Sequence, residues 1–359
     1  MHEFSCGTRI FSGPGALGAL KDLGAKRLLI VADPFFVKNG RAEALARSAG
    51  AEVYEIYDGI QPDPSVMLAA EGAARVRDFQ PDLIAALGGG SAIDCAKAMA
   101  FFGGCPRLVA IPTTSGSGSE VTDFAVLTHE GSKFPLVDPR LQPEAAILDA
   151  DLLTELPPSL VADCGFDVLA HALEAFVGTN AGPITDALAR DAFTTVFSSL
   201  YASFTGDLQS RKGIHMASTM AGMAFNRAGL GLCHSLSHAL GARFHLPHGR
   251  LNAILLPAVV ERNAAAVGEK YAALARFAGL GGSAQTMGVR NLKNGLIRLR
   301  QAVKLPGTLA QAGADPRQVR RLTEEIVKAV LADPCTRTNP LPVDGALVAE
   351  ILEAVTGHG

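Results

Sequence analysis

Up to about residue 150, short aliphatic runs alternate with helix-like stretches, and this alternation limits the fold more than any other feature of the chain. The runs are RLLIVAD (27–33), EVYEIYDG (52–59), LIAALGGG (83–90) and LVAIPTT (108–114). Strands separated by helices predict a mostly parallel sheet flanked by those helices. A hairpin is expected around FAVLTHEGSKFPLVD (124–138), turning at Glu130-Gly131. After Pro157-Pro158 the period changes. Apolar residues recur every three or four positions in LVADCGFDVLAHALEAFV and MASTMAGMAF, which predicts a nearly all-helical second half. Asp315-Pro316 has the form of a helix start, and ALVAEILEAV that of a last amphipathic helix. For 359 residues two domains are expected: an α/β dinucleotide-binding domain over 1–157 and an all-α metal-binding domain over 158–359.

A composition of 48% hydrophobic and 19% charged residues suits a well-buried enzyme. Net charge is -3 and Lys and Arg are scattered, so no basic stripe exists for a nucleic-acid backbone. The start, MHEFSCGTRIF, shows no basic and apolar leader, and no run of about eighteen apolar residues occurs, so a cytosolic protein is expected. Cys6, Cys95, Cys105, Cys164, Cys233 and Cys335 form no C-x-x-C pair, which points to reduced, mostly buried thiols.

Asp167 and His171 stand four apart within a helical pattern, so a carboxylate and an imidazole share one face, one turn apart. His234 and His238 repeat the spacing in HSLSHALGARF, and His248 follows at Pro247-His248-Gly249. A metal ion accounts economically for such buried groups, the alternative being a surface pair or satisfied core histidines. His245 is expected to pack or face solvent, and His2, His129, His215 and His358 lie in no such pattern.

LIAALGGGSAIDCAKA reads as a strand ending in Gly88-Gly89-Gly90 and a helix opened by Ser91. Glycines there let the backbone approach a pyrophosphate, whose charge meets the helix N-terminus. The same run also fits an ordinary tight turn. A second loop, PTTSGSGSEVT (112–122), adds hydroxyls and glycines after another strand, and two such loops favour a dinucleotide. Asp33 could accept from a ribose 2'-hydroxyl and repel a 2'-phosphate, favouring NAD over NADP, or could merely cap a helix with Pro34.

These segments resemble the iron-containing alcohol dehydrogenases. GFDVLAHALEAFV, AGLGLCHSLSHALGARFHLPHGRLNA, LGGGSAIDCAKA, IPTTSGSGSEVT, PEAAILDADLLTELPP and DPCTRTNPLP look like that family's motifs, in its order. DVLAHALEAFV, MAGMAFNRAGLGL and FHLPHG look closest to its propanol dehydrogenases of bacterial microcompartments. The resemblance implies metal ligands at Asp167, His171, His234 and His248, and a proton-relay histidine at His238. It also implies cofactor contacts from Asp33, Gly89, Gly90, Ser91, Asp94, Thr113, Thr114, Ser117, Thr122, Phe124 and Lys133. Ser117 and Cys164 stand where Thr is commoner. The first change keeps the hydroxyl, and the second places a thiol three residues before a ligand.

An NAD(H)-dependent enzyme with one divalent metal, Fe(II) or else Zn(II), is therefore expected, interconverting a short primary alcohol (propanol or ethanol) and its aldehyde and mainly reducing the aldehyde. A polyol dehydrogenase on the same scaffold is the alternative. A lyase acting on an anionic, polyhydroxylated substrate would need several Lys and Arg beside the metal, whereas Arg227, Arg243 and Arg250 are the only cations nearby in sequence. An idle scaffold partner in a microcompartment is the rival from another class; the intact ligands and glycine loops speak against it. A homodimer is expected, with EFSCGTRIF as a segment that could pair across the interface, and encapsulation with shell or enzyme partners stays open.

Overall fold

Three of the aliphatic runs, at 27–33, 83–90 and 108–114, become strands buried on both faces, whereas the run at 52–59 becomes a partly exposed edge strand. The computed structural model describes residues 3–105, 107–129 and 132–357 and divides the chain into two compact units, Ser5–Leu156 and Pro157–Gly359, with Met1–Phe4 grouped with the second.

The first unit carries β1 (Arg9–Ser12), β2 (Arg27–Ala32), β3 (Val53–Tyr57), β4 (Leu83–Gly88), β5 (Leu108–Pro112), β6 (Phe124–His129), β7 (Ser132–Val137) and β8 (Ala145–Leu148). Six of them form one parallel sheet in the order β1-β8-β5-β4-β2-β3. Because successive side chains alternate across a strand, each run feeds two cores. Leu28, Ile30, Leu83, Ala85, Leu87, Val109 and Ile111 pack on one side of the sheet. Leu29, Val31, Ile84, Ala86, Leu108 and Ala110 pack on the other.

β6 and β7 make the expected antiparallel hairpin; its turn, Glu130-Gly131, lies outside the described residues. β8 is not among the expected strands, and β1 overlaps the β-rich segment EFSCGTRIF. β1 pairs in parallel with β8 inside the same chain, so pairing between two copies could use only its other edge.

From β3, at one edge, the chain returns to β4 on the opposite side of β2. This reversal opens a crevice at the carboxyl ends of β2 and β4, the position where open α/β sheets take ligands.

In the second unit the described residues are helical and turn structure, with long helices at Pro158–Val177, Pro183–Phe204, Leu208–Ala228, Leu232–Phe244, His248–Phe277 and Gln285–Ala302. Asp315 caps the Pro316–Arg321 helix by accepting from Arg317 N at 2.9 Å, as its sequence predicts. No helix among the described residues is long and apolar enough to cross a membrane.

One glycine fixes how two of these helices meet. A Cβ on Gly249 would lie 1.9 Å from the carbonyl oxygen of Asp163. Its absence lets the first turn of the His248–Phe277 helix abut the backbone of the Pro158–Val177 helix, which carries Asp167.

Candidate metal centre and nucleotide loop

Asp167 Oδ1 is the hub of the helical unit's polar centre. It lies 3.9 Å from Nε2 of His171, 3.8 Å from Nε2 of His234 and 3.5 Å from Nε2 of His248. These separations are too long for hydrogen bonds. They approach the spacing of about 3.3 Å between donors that share a tetrahedral ion at about 2.0–2.1 Å. One carboxylate and three imidazoles also form a donor set that Fe(II) or Zn(II) accepts. Asp167, His234 and His248 each bring a ligand atom within 4.8 Å of the other two, so these three fit a single divalent cation, whereas His171, the fourth expected ligand, approaches Asp167 but stands outside that group.

Helical spacing puts Asp167 and His171 on one face, and packing supplies the rest. The His171 ring stacks on Phe225 at 4.4 Å and on His234 at 4.5 Å between centroids. Asn252, one turn beyond His248, donates to Asp167 Oδ1 at 2.7 Å and fixes that oxygen's position. Burial is graded across the site. His171 and His234 are 5% and 1% exposed, whereas the side chains of His248 and His238 retain 29% and 27%.

Two acidic residues orient the imidazoles from behind. Glu174, 2% exposed, sets Oε2 at 2.5 Å from Nδ1 of His234, and Asp333 sets Oδ2 at 2.9 Å from Nδ1 of His238. Burial pulls His234 down to about 3 and lifts Glu174 to about 7. The backbone N–H groups of Gly231 and Cys233 also point at Glu174, which favours a charged carboxylate beside a neutral ring. Burial works to raise Asp333, yet hydrogen bonds from His238 and the Cys335 backbone hold it down at about 2.

Sequence reasoning missed Glu174, Asn252 and Asp333. Glu174 continues the face of Asp167 and His171, and Asn252 follows His248 by four, so helical spacing could have found both. His245 faces solvent, one of the two expected alternatives, and ends the Leu232–Phe244 helix in a left-handed conformation at φ 52°. Arg250 is bound bidentately to Asp163, at 3.2 and 2.9 Å, and Arg243 donates to the carbonyls of Ala239 and Glu325. Half of the free thiols, Cys95, Cys105 and Cys233, are buried; Cys6, Cys164 and Cys335 are partly exposed.

In the α/β unit the crevice at the ends of β2, β4 and β5 gathers much of the expected cofactor set. The helix after β4 begins at Gly90, not Ser91, because Gly89 takes the N-cap position; no side chain caps this end. Gly89 sits against Thr114 and Gly90 against Ser117: a Cβ on Gly90 would lie 2.9 Å from that of Ser117. Asp33 abuts Gly88, where an added Cβ would come 3.3 Å from its own. One Asp33 oxygen accepts from Phe35 N at 2.9 Å, so the residue does cap the Pro34–Lys38 helix.

Three expected contacts are engaged elsewhere. Thr122 is fully buried, and its hydroxyl and carbonyl each accept from Lys97 Nζ at 2.9 Å, because a buried ammonium needs acceptors. The Phe124 carbonyl is the third acceptor, at 2.7 Å. Asp94 accepts from the Ser119 hydroxyl and from Val126 N, so it braces the loop from behind. Lys133 pairs with Asp63 at 2.6 Å, and Asp63 N donates to Ser91 Oγ at 3.4 Å, which brings that pair to the glycine loop. Thr113 is buried and Phe124 half-buried.

A family model described as iron-containing alcohol dehydrogenase matches residues 7–150, and one for the C-terminal part of the Fe-containing alcohol dehydrogenase family matches residues 161–356. The chain is 39% identical over 368 residues to the 1-propanol dehydrogenase PduQ of Citrobacter freundii, covering 98% of this chain and 99% of that protein. It is 36% identical over 381 residues to the NADPH-dependent butanol dehydrogenase of Clostridium saccharobutylicum, covering 99% and 98%. An iron-containing alcohol dehydrogenase structure from Thermococcus thioreducens superposes with a TM-score of 0.91 at 34% identity, covering 98% of this chain and 99% of that one.

Proposed function

The chain belongs to the iron-containing alcohol dehydrogenase family, and from that premise we propose that it interconverts a short primary alcohol and its aldehyde with NAD(H) and one divalent cation, Fe(II) before Zn(II). Reduction of the aldehyde, regenerating NAD+, is the proposed main direction. The gathering of Asp167, His234 and His248 within 4.8 Å of one another, with His171 Nε2 3.9 Å from the same Asp167 oxygen, carries this reading.

Asp167, His171, His234 and His248 would hold the cation, which would supply Lewis acidity, and the nicotinamide would supply the hydride chemistry. The remaining work falls to side chains of this chain. His238 donates Nδ1–H to Asp333, so its Nε2 takes up or releases the proton that the alcohol oxygen exchanges. Asp33, beside the glycine loop, keeps one carboxylate oxygen for a ribose hydroxyl and disfavours a 2'-phosphate. That preference opposes the NADPH dependence in the butanol relative's name.

The arginines support a small, weakly polar substrate. Arg250 and Arg243 are spent on Asp163 and on backbone carbonyls, which leaves them poorly placed to receive an anionic or polyhydroxylated one. The names of the two relatives, propanol and butanol dehydrogenases, agree with that choice. A homodimer and residence in a microcompartment belong to the same proposal. Light scattering showing only a 37.3 kDa species, or purification free of shell proteins, would remove them.

The deciding experiment is metal analysis of purified protein together with NADH oxidation on propanal, acetaldehyde and lactaldehyde. Turnover of these aldehydes that needs the cation is expected. Preference for glyceraldehyde or a keto acid over all three overturns the substrate assignment.

A further inference from the structure

The Leu232–Phe244 helix, which carries His234, starts at Gly231, a residue with no side chain to cap it. The first N–H groups of a helix have no partner within it and must find one elsewhere. Here they find residues distant in sequence. Gly231 N donates to Glu174 Oε2 at 2.9 Å and Cys233 N to Glu174 Oε1 at 2.7 Å, while Leu232 N donates to Asn339 Oδ1 at 3.1 Å. A Cβ on Gly231 would lie 2.8 Å from Glu174 Oε1, so the glycine makes room for the carboxylate.

The oxygen that accepts from Gly231 N is also the one facing His234 Nδ1. A neutral imidazole has one N–H and one lone pair. With its N–H directed at Glu174, His234 is left with its lone pair on Nε2, the atom turned toward Asp167. Glutamine cannot reproduce this arrangement. It offers one carbonyl oxygen, and its amide group would meet N–H donors.

We propose that Glu174 is the positioning residue of the metal centre: its single carboxylate closes the start of the helix and fixes the tautomer of His234, so cation affinity depends on a group that does not touch the cation. This rests on Asp167, His171, His234 and His248 holding a divalent cation.

The test is titration of chelator-stripped protein with Co(II), followed by its visible absorption, for wild type, E174Q, H234A, E174Q/H234A and N339A. Glu174→Gln is expected to weaken Co(II) binding about 10- to 100-fold. In the H234A background the same change is expected to add nothing. Asn339→Ala removes an acceptor from the same helix start without touching His234, and is expected to lower stability while binding Co(II) within about 3-fold of wild type.

Equal affinity of E174Q and wild type overturns the proposal, as does an equal loss in the H234A background. Wild type that takes up no Co(II) instead overturns the metal centre itself, and with it the premise. If E174Q does not fold, amide exchange of the wild type decides. Co(II) loading is expected to slow exchange at Leu232 and Cys233, and unchanged exchange overturns the proposal.

Discussion

Asp333 Oδ2 and His238 Nδ1 meet at 2.9 Å across 95 residues of sequence, and the other Asp333 oxygen is held by Cys335 N at 2.9 Å and Ser235 Oγ at 3.2 Å. The carboxylate is thus locked, and it locks the ring. Asp333→Asn offers an amide in either orientation and releases the tautomer. If His238 relays the proton, kcat should fall by about 100-fold or more with cation content unchanged. An unaltered kcat for D333N, measured with propanal, would show that His238 is not the relay.

Gly249→Ala should separate the cation from an otherwise folded protein. The added methyl collides with the Asp163 carbonyl and must push the His248 turn outward, at a cost of about 1–3 kcal/mol. Cation content should drop sharply while far-ultraviolet circular dichroism is retained. Full cation content in G249A would mean that this contact does not set the position of His248.

Asp33 caps a helix and is the proposed cofactor-selecting acid, and substitution can separate the two roles. Serine keeps an oxygen for Phe35 N but discards the charge, so Asp33→Ser should raise kcat/KM for NADPH relative to NADH by about 10-fold, near 1.4 kcal/mol. Asp33→Ala should do the same and also lose about 1 kcal/mol of stability with the cap. No change in the cofactor ratio for either variant would dismiss Asp33 as the selecting acid.

The Lys133–Asp63 pair sets an exposed carboxylate in competition with any anion that approaches the glycine loop. An exposed pair contributes about 0.2–1 kcal/mol, so Asp63→Asn should tighten NADH binding by no more than about 5-fold, and less at high salt. Fluorescence titration at two ionic strengths measures it. Weaker binding by D63N would mean that Asp63 itself holds the cofactor.

Lys97 gives a dependence on pH with a definite sign. Burial pushes it down to about 8 from 10.5, so between those values the unfolded chain binds more protons and stability due to this group rises with pH. Urea midpoints of wild type relative to Lys97→Met should therefore shift in favour of wild type from pH 8 to pH 10. A constant difference would mean that the ammonium is not destabilised.

The parts of this fold legible in sequence are those with a local period. Continuous aliphatic runs announced β2, β4 and β5 because both of their faces are buried, and spacing by four announced Asp167 with His171 and His234 with His238. β8 is four residues long, too short for a pattern to stand out, and β1, equally short, showed only as a β-rich segment without its parallel partner. Asp333 and Asn339 act on the Leu232–Phe244 helix across 95 and 107 residues, contacts that only tertiary packing creates. Asp63 and Lys133 were likewise paired by the hairpin, not by any spacing.

The graded burial of the four imidazoles makes the centre one-sided. His171 and His234 are sealed in the protein, so an entering ion, a chelator or a peroxide meets His248 and His238 first. Loss of the ion should therefore begin with release of His248, and oxidative damage should mark that imidazole before the two behind it.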